Sequence, residues 1–105
     1  MAFRVEITAQ AERDTLDILD WLISEQAGRA GLRWFEGLEQ AILSLAEMPL
    51  RCPVVPERQL FPFEVRHLLY GGKPHVYRIV FAVEDQTVYV LHVWHARRRH
   101  VARKQ

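Results

Sequence analysis

The sequence predicts an α+β fold with the element order β-α-α-β-β-β, in which an antiparallel helical hairpin packs on one face of a small, mainly antiparallel twisted sheet. Three observations support this prediction: an opening segment with period two, two successive segments with helical periodicity, and three later apolar segments joined by short turns. The chain has 105 residues, and we expect them to form a single domain over residues 1–105.

The opening segment 3–8 alternates apolar and polar residues, which is typical of a half-buried strand. Thr8 then offers a side-chain oxygen as the N-cap of a first helix, which we place from about Ala9 to Glu25. One stripe of this helix is apolar and consists of Ala11, Ile18, Leu19 and Leu22. Three further apolar residues, Leu16, Trp21 and Ile23, lie off the stripe and are expected to be exposed.

A second helix is predicted from about Ala30 to Ala46, after a turn framed by Gly28 and Gly31. Its apolar stripe consists of Phe35, Leu38, Ala41, Ile42 and Leu45. Pro49 follows and ends the helical pattern. Two amphipathic helices joined by a short turn form a hairpin, and each helix needs an apolar surface to cover.

Prolines at 49, 53, 56 and 62 predict a surface loop over residues 49–63. Three strands are then predicted at about Glu64–Leu69, His75–Val83 and Thr87–Trp94, and their short connections favour antiparallel pairing. We expect one face of this sheet and its rim to stay partly open. Residues 96–105 are predicted to be a basic tail, either a frayed helical turn or a flexible segment.

Charge is distributed unevenly along the chain. Residues 1–50 contain 9 acidic and 4 basic residues, a net charge of −5, whereas residues 51–105 contain 4 acidic and 10 basic residues, a net charge of +6. This asymmetry favours a basic surface that meets an anionic partner, either a nucleic acid or an acidic protein segment. A solvated rim of mixed charge is the alternative interpretation.

Several classes of protein are disfavoured. The single cysteine, Cys52, excludes an intramolecular disulfide and a zinc site built mainly from cysteines. The apolar runs are too short to span a bilayer, and no export signal is present, so we expect a cytoplasmic protein that is not in a membrane. His92 and His95 are three residues apart on a predicted strand and point to opposite faces, so we expect no metal. Gly71-Gly72 is predicted as a turn and no glycine-rich phosphate loop is present, and we expect no cofactor.

The chain resembles the RelE/ParE superfamily of toxins from type II toxin–antitoxin modules, and within it the ParE branch. The resemblance covers the element order, the alanine-containing acidic start of the first helix and five segments, namely residues 3–8, 45–49, 65–68, 76–81 and 90–98. The two last segments, VYRIVF and VLHVWHARR, carry most of it. The run His95-Ala96-Arg97-Arg98 at the end of the last strand is similar to that of ParE proteins.

The resemblance implies a toxin that inhibits growth, takes part in plasmid stabilization and is neutralised by a cognate antitoxin. Members of the ParE branch poison DNA gyrase and have no accepted hydrolytic activity, and this activity is our expectation for the chain. The alternatives are a ribosome-dependent mRNA endoribonuclease of the RelE type, which needs no metal, and an inactive member that still binds antitoxin.

As a nuclease, the chain would use Arg66, Arg78, His95 and Arg98 as its candidate catalytic residues. Arg78 matches the arginine that contacts phosphate in RelE-type enzymes, and Arg97 or Arg98 matches their basic residue after the last strand. Two departures disfavour this activity. Glu64 stands where one of two alternating lysines is expected, with Arg66 at the other, and residues 99–105 contain no tyrosine.

For the gyrase-directed function the predicted target-binding residues are Arg66, Arg78, His95, Arg97, Arg98 and Arg99. Arg78 lies in an otherwise apolar strand, where a buried charge would be costly without a partner. We therefore expect it to reach the open face or rim, or else to pair with a nearby carboxylate such as Glu64. The simpler interpretation of the basic tail is a solvated segment with no binding role.

Overall fold

The computed structural model describes residues 2–25, 28–73 and 75–97. It contains the strands β1 (Arg4–Ile7), β2 (Arg66–Tyr70), β3 (Tyr77–Glu84) and β4 (Thr87–His95), and the helices α1 (Ala9–Ser24) and α2 (Gly28–Leu43). Short 3-10 turns lie at Ser44–Ala46, Pro49–Arg51 and Arg58–Leu60. The predicted α+β fold and its element order are confirmed.

The four strands form one mixed sheet in the order β1-β4-β3-β2. The pairs β4–β3 and β3–β2 are antiparallel. β1 runs parallel to β4, because the helical hairpin returns the chain to the end of the sheet at which β1 begins. Opposite the Val80–Phe81 step the register shifts from His92 to Val90, so that β4 bulges at Leu91.

Both helices pack on one side of the sheet, which we call the helix face. The core there joins residues of both helices to inward-facing residues of β3 and β4, namely Ala11, Ile18, Leu38, Ile42, Ile79, Phe81, Val88, Val90 and Val93. The predicted N-cap is confirmed, since the Thr8 side-chain oxygen accepts a hydrogen bond from the Ala11 N–H at 3.2 Å. Leu16, Trp21 and Ile23 are exposed, as expected.

Several predicted boundaries were wrong. α2 begins at Gly28, and Gly31, predicted in the turn, is buried inside the helix. Residues 44–46 tighten into a 3-10 turn before Pro49. The strand predicted at about His75–Val83 begins at Tyr77. The strand predicted at about Glu64–Leu69, which is β2, begins at Arg66, so that Glu64 precedes it.

The opposite side of the sheet, here called the outer face, was expected to stay partly open. Residues 53–63, which we call the strap, cover the part of it around Val80, whereas Leu69 on the same face remains 59% exposed. Val54 forms an antiparallel bridge with Arg66 at the edge of β2. Val55 and Phe61 then pack against a second apolar cluster that contains Val80, Leu91 and Trp94. The prolines predicted a loop, but they did not indicate that Val55 and Phe61 would both pack against the sheet.

Candidate functional site: the basic residues of the sheet

Arg78 lies on the outer face of β3, beneath the strap. Only 5% of its surface is exposed, so the expectation that it reaches an open face or a rim is wrong. Its guanidinium makes two hydrogen bonds to the Glu57 carboxylate, from Nη1 to Oε1 at 2.9 Å and from Nη2 to Oε2 at 2.6 Å. A carboxylate partner was expected, but Glu64 was the wrong one, because Glu64 lies outside β2 and pairs with Arg66.

Two further side chains surround this ion pair. The guanidinium carbon of Arg78 lies 5.3 Å from the centre of the Trp94 ring, which is a cation–π distance. The Nη1 atom lies 3.3 Å from Nδ1 of His67. Since arginine has only donors, Nδ1 must be the acceptor and the His67 ring is neutral. Burial, and then the charge of Arg78, lower the pKa of His67.

Arg66 lies at the start of β2, and its guanidinium is already bonded to other residues of the chain. Its Nη1 atom donates to the carbonyl oxygens of Leu50 at 3.2 Å and Cys52 at 2.6 Å, and its Nη2 atom pairs with Glu64 at 3.0 Å. One fifth of the side chain remains exposed. Arg66 therefore holds the residues just before the strap against the sheet while it keeps some contact with solvent.

His95 lies on the other side of the sheet from Arg78. Its ring contacts Tyr77 at 5.0 Å, and Tyr77 belongs to the core of the helix face. His95 lines a cleft of about 470 Å³ between α1 and the end of β4. Asp14, Asp17 and Trp21 line the opposite wall of this cleft. The candidate catalytic residues Arg78 and His95 are therefore not brought together.

The chain leaves β4 at Ala96 and Arg97. Arg97 is exposed, and its backbone N–H donates to Nδ1 of His95 at 3.1 Å. Arg98 and Arg99 lie outside the described residues, as does most of the predicted basic tail. Of the predicted target-binding residues that the structure describes, Arg97 is thus the most accessible cation.

Sequence reasoning missed Glu57 and His67 as neighbours of Arg78. One signal for Glu57 was present, because a buried arginine needs a carboxylate partner and Glu57 is one of only four acidic residues from residue 51 onward. Glu64, Glu84 and Asp85 all lie at predicted strand ends or turns. Which of the four carboxylates pairs with Arg78 depends on where the strap lies, and local sequence patterns do not determine that position.

A second accessible surface lies on the helical hairpin. A groove of about 550 Å³ runs between the two helices. It is lined by Leu19, Leu22, Ile23, Gly28, Gly31 and Leu32. Within this groove Ile23 is 64% exposed and Leu32 is 55% exposed. Contiguous exposed apolar surface of this kind marks sites of protein association.

A metal centre and a membrane-spanning helix are both absent from the part of the chain that the structure describes. Within residues 2–25, 28–73 and 75–97 no group of three or more His, Cys, Asp or Glu side chains is arranged to hold a metal ion. In the same ranges no helix is both long and apolar enough to cross a membrane. Cys52 is buried, and this burial raises the pKa of its thiol, which disfavours a role as a nucleophile.

Comparison with known proteins decides the family. Residues 5–100 match the family model described as the ParE toxin of the type II toxin–antitoxin system parDE. The chain belongs to the ParE toxin family. It is a toxin of the type II class, and the superfamily and branch predicted from the sequence are confirmed.

A solved structure shares the fold of this ParE-family chain. It comes from the chromosomal ParDE TA system from P. aeruginosa and superposes with a TM-score of 0.69 at 15% sequence identity. The match covers 90% of this chain and 96% of that one. No match to this sequence is found among curated proteins.

Proposed function

We propose that this toxin arrests growth by binding DNA gyrase and trapping its cleaved DNA complex, and that a cognate antitoxin neutralises it. The observation that carries the proposal is the burial of Arg78 in its ion pair with Glu57 on the outer face. Together with membership of the ParE family, it favours a toxin that acts by binding over one that cleaves RNA.

The ribonuclease alternative needs cations and a proton-transfer group at one phosphate. Arg78 is already neutralised by Glu57, and Arg66 is engaged by two carbonyl oxygens and Glu64. His95, the described candidate for proton transfer, faces the helices on the other side of the sheet. These three positions do not form a common site for a phosphodiester.

A gyrase-directed function needs an accessible binding surface and no bond-breaking group. Arg97 is exposed at the end of β4, and the sequence continues with Arg98, Arg99, Arg103 and Lys104. Several such cations acting together would give strong, salt-dependent binding to an anionic surface. We assign target binding to this basic run, with Arg66 as a secondary contact on the sheet.

The antitoxin is expected on the helical hairpin and at the adjoining sheet edge. The groove between α1 and α2 and the exposed side chains of Leu16, Trp21 and Ile23 offer an apolar surface for a segment that folds on binding. Recovery of the adjacent gene product with the toxin at low salt would support this, and complete failure to recover it would count against it.

The function is tested by inducing the chain without its antitoxin. We expect an SOS response and filamentation before translation falls, and accumulation of cleaved plasmid when the purified toxin is added to gyrase with ATP. An early stop in translation, with no SOS response, would contradict the gyrase proposal. Absence of any growth arrest from a folded chain would identify an inactive member.

A further inference from the structure

The cleft between α1 and the end of β4, which we call the α1–β4 cleft, lies along a free edge of the sheet. β1 pairs with β4 only as far as Val90, so within the described residues no strand adjoins positions 91–95 on that side. The Val93 N–H faces this edge and donates to Asp14. Backbone groups alternate in direction along a strand, so the His95 backbone faces the same edge. One wall of the cleft therefore carries accessible backbone groups.

The opposite wall of the α1–β4 cleft is acidic and aromatic. Asp14, Asp17 and Trp21 follow one another along one side of α1 at spacings of three and four residues. Both oxygens of Asp14 already accept hydrogen bonds from the chain. Asp17 is exposed and has no hydrogen bond or ion pair within the described part of the chain. Trp21 is 41% exposed. A carboxylate close to an exposed indole suits a guanidinium, which forms ion pairs and stacks on aromatic rings.

The chain turns at the rim of this cleft, where β4 ends. Ala96 and Arg97 form the turn, and the Ala96 N–H donates to the Val76 carbonyl oxygen at 2.7 Å. The Arg97 N–H donates to Nδ1 of His95 at 3.1 Å, and the His95 side chain lines the cleft. The backbone of Arg97 is thus held against the cleft, and the chain continues from that point.

The sequence that follows complements the acidic wall. Residues 98–105 lie outside the described residues, and their sequence is Arg-Arg-His-Val-Ala-Arg-Lys-Gln, with four basic residues and no carboxylate. Eight residues span at most about 29 Å when extended. The wall from Asp14 to Trp21 is seven residues of helix, or about 10 Å. This basic segment is therefore long enough to follow the whole wall.

We propose that the α1–β4 cleft is the docking site of the chain's own basic residues 98–105, with a guanidinium paired to Asp17 beside the Trp21 ring. A target must then compete with α1 for the same cations. An exposed ion pair changes an equilibrium by at most about fivefold, so the docked segment stays exchangeable and a polyanion can displace it. The inference goes beyond the proposed function and does not depend on it, because purified toxin tests it without a cellular target.

The first experiment follows the Trp21 indole N–H by NMR, in the full chain and in a chain that ends at Arg97. The signal is identified with Trp21→Phe. We expect the two chains to differ in this signal at low salt. The difference should disappear as the salt approaches about 1 M, where charges are screened beyond about 3 Å. Identical signals at low salt, or a difference that persists at high salt, would overturn the proposal.

Asp17→Asn tests the acidic partner. Asp20→Asn is the matched control, because Asp20 is an exposed carboxylate of the same helix that does not line the cleft. In each background the full chain is compared with the shortened chain, which removes any direct effect of the substitution on Trp21. Asp17→Asn should reduce the difference by roughly half or more, and Asp20→Asn should leave it unchanged. Equal effects of the two substitutions would contradict docking at Asp17.

Competition with a polyanion gives a second measurement, with heparin as the probe. Asp17→Asn and Asp20→Asn each remove one negative charge, but only Asp17→Asn releases the basic segment. It should therefore bind heparin roughly two- to fivefold more tightly than the control, whereas the two substitutions should be equivalent in the shortened chain. Equal affinities in the full chain would overturn the competition. If docking is confirmed but growth arrest does not depend on the basic run, the proposed function fails and this inference stands.

Discussion

The Asp14 carboxylate on α1 accepts a hydrogen bond from the backbone N–H of Val93 on β4, with Oδ2 3.0 Å from the nitrogen. The same oxygen lies 3.4 Å from Nδ1 of His92. β1 pairs with β4 only as far as Ile7 opposite Val90, so the Val93 N–H, which faces the β1 side, finds its acceptor on α1. Asp14 thus joins α1 to the irregular part of β4 across 79 residues of sequence.

Asp14→Ala should destabilise the fold by about 1–3 kcal/mol, because it leaves the partly buried Val93 N–H without its acceptor. Asp17→Ala is the matched control: Asp17 lies one turn further along α1, lines the same cleft and is exposed. We expect the control to change the free energy of unfolding by no more than about 0.5 kcal/mol. Urea unfolding of both variants measures the difference, and equal effects would contradict the role of Asp14.

Gly37→Ala should destabilise the protein although alanine favours helices by about 1 kcal/mol. A Cβ at Gly37 would overlap the Tyr70 hydroxyl, which donates to the Trp34 carbonyl oxygen at 2.7 Å. The Tyr70 ring cannot easily move aside, because it also packs edge-on against the Trp34 ring at 5.2 Å. We expect a net loss of about 1–3 kcal/mol in chemical denaturation.

Tyr70→Phe supplies the control for that overlap. It removes the clashing oxygen, so Gly37→Ala should cost less in the Tyr70→Phe background than in the native chain, a coupling that a double-mutant cycle measures. A cost of Gly37→Ala that is the same in both backgrounds would show that the Tyr70 hydroxyl does not limit this position.

Acidification should destabilise the strap through His67. The pKa of His67 is lowered in the folded chain by burial and by Arg78, whereas the unfolded chain has the ordinary value of 6.5. The unfolded state therefore binds a proton more readily than the folded state, so this contribution to stability is complete above pH 6.5 and is lost as the pH falls through the folded pKa. Glu57 also faces the ring and opposes part of the shift.

The measurement is the free energy of unfolding between pH 7.5 and 5, compared with His67→Asn, whose amide oxygen can accept from Arg78 without titrating. The variant should have a flatter pH profile than the native chain below pH 6.5. His75→Asn is the control, because His75 is an exposed histidine away from this pair. Parallel profiles for the native chain and His67→Asn would refute the assignment.

The regular elements of this fold were predictable because their signals are local. Alternation identified β1, and the 3.6-residue period identified both helices. The strap was not predictable in the same way. Its prolines indicated a loop, but its position depends on apolar contacts of Val55 and Phe61 with strands that follow later in the chain. The pairing of Arg78 with Glu57, 21 residues away, depends on that position.

The candidate site was predictable in composition but not in geometry. The arginines were identified as a group, yet strand alternation alone could not show that a covering segment neutralises one of them. The bulge at Leu91 is another example, since it moves later residues of β4 by one position relative to a regular strand. Such irregularities arise from tertiary packing, whereas the elements themselves arise from periodicity.

Purified toxin should not cleave naked RNA. Arg78 is buried and paired with Glu57, His95 lies on the other side of the sheet, and residues 99–105 contain no tyrosine. The test incubates a short labelled RNA with the chain in the presence of a metal chelator and follows it on a denaturing gel. Rapid cleavage that is lost in a folded Arg78→Ala variant would overturn both this prediction and the binding-only function.

Growth arrest should depend on the basic residues after β4 and not on a catalytic pair. Five of the eleven residues that follow Trp94 are Arg or Lys, and no carboxylate occurs after Asp85. Each exposed contact is worth about 1 kcal/mol or less, but several together can decide affinity for an anionic surface. Replacing Arg97 and Arg98 by Ala should therefore reduce growth arrest much more than it reduces the Tm.

The matched control replaces Arg29 and Arg33, two exposed arginines at the start of α2, by Ala. It removes the same charge from another surface and should leave growth arrest nearly unchanged. A chain without residues 99–105 extends the test, and we expect it to fold because that segment adds little apolar surface. Growth curves, thermal melts and antitoxin binding are measured for each variant. If both the Arg97→Ala/Arg98→Ala chain and the shortened chain stay folded and fully toxic, target binding lies elsewhere, and the partly exposed Arg66 on the sheet becomes the next position to test.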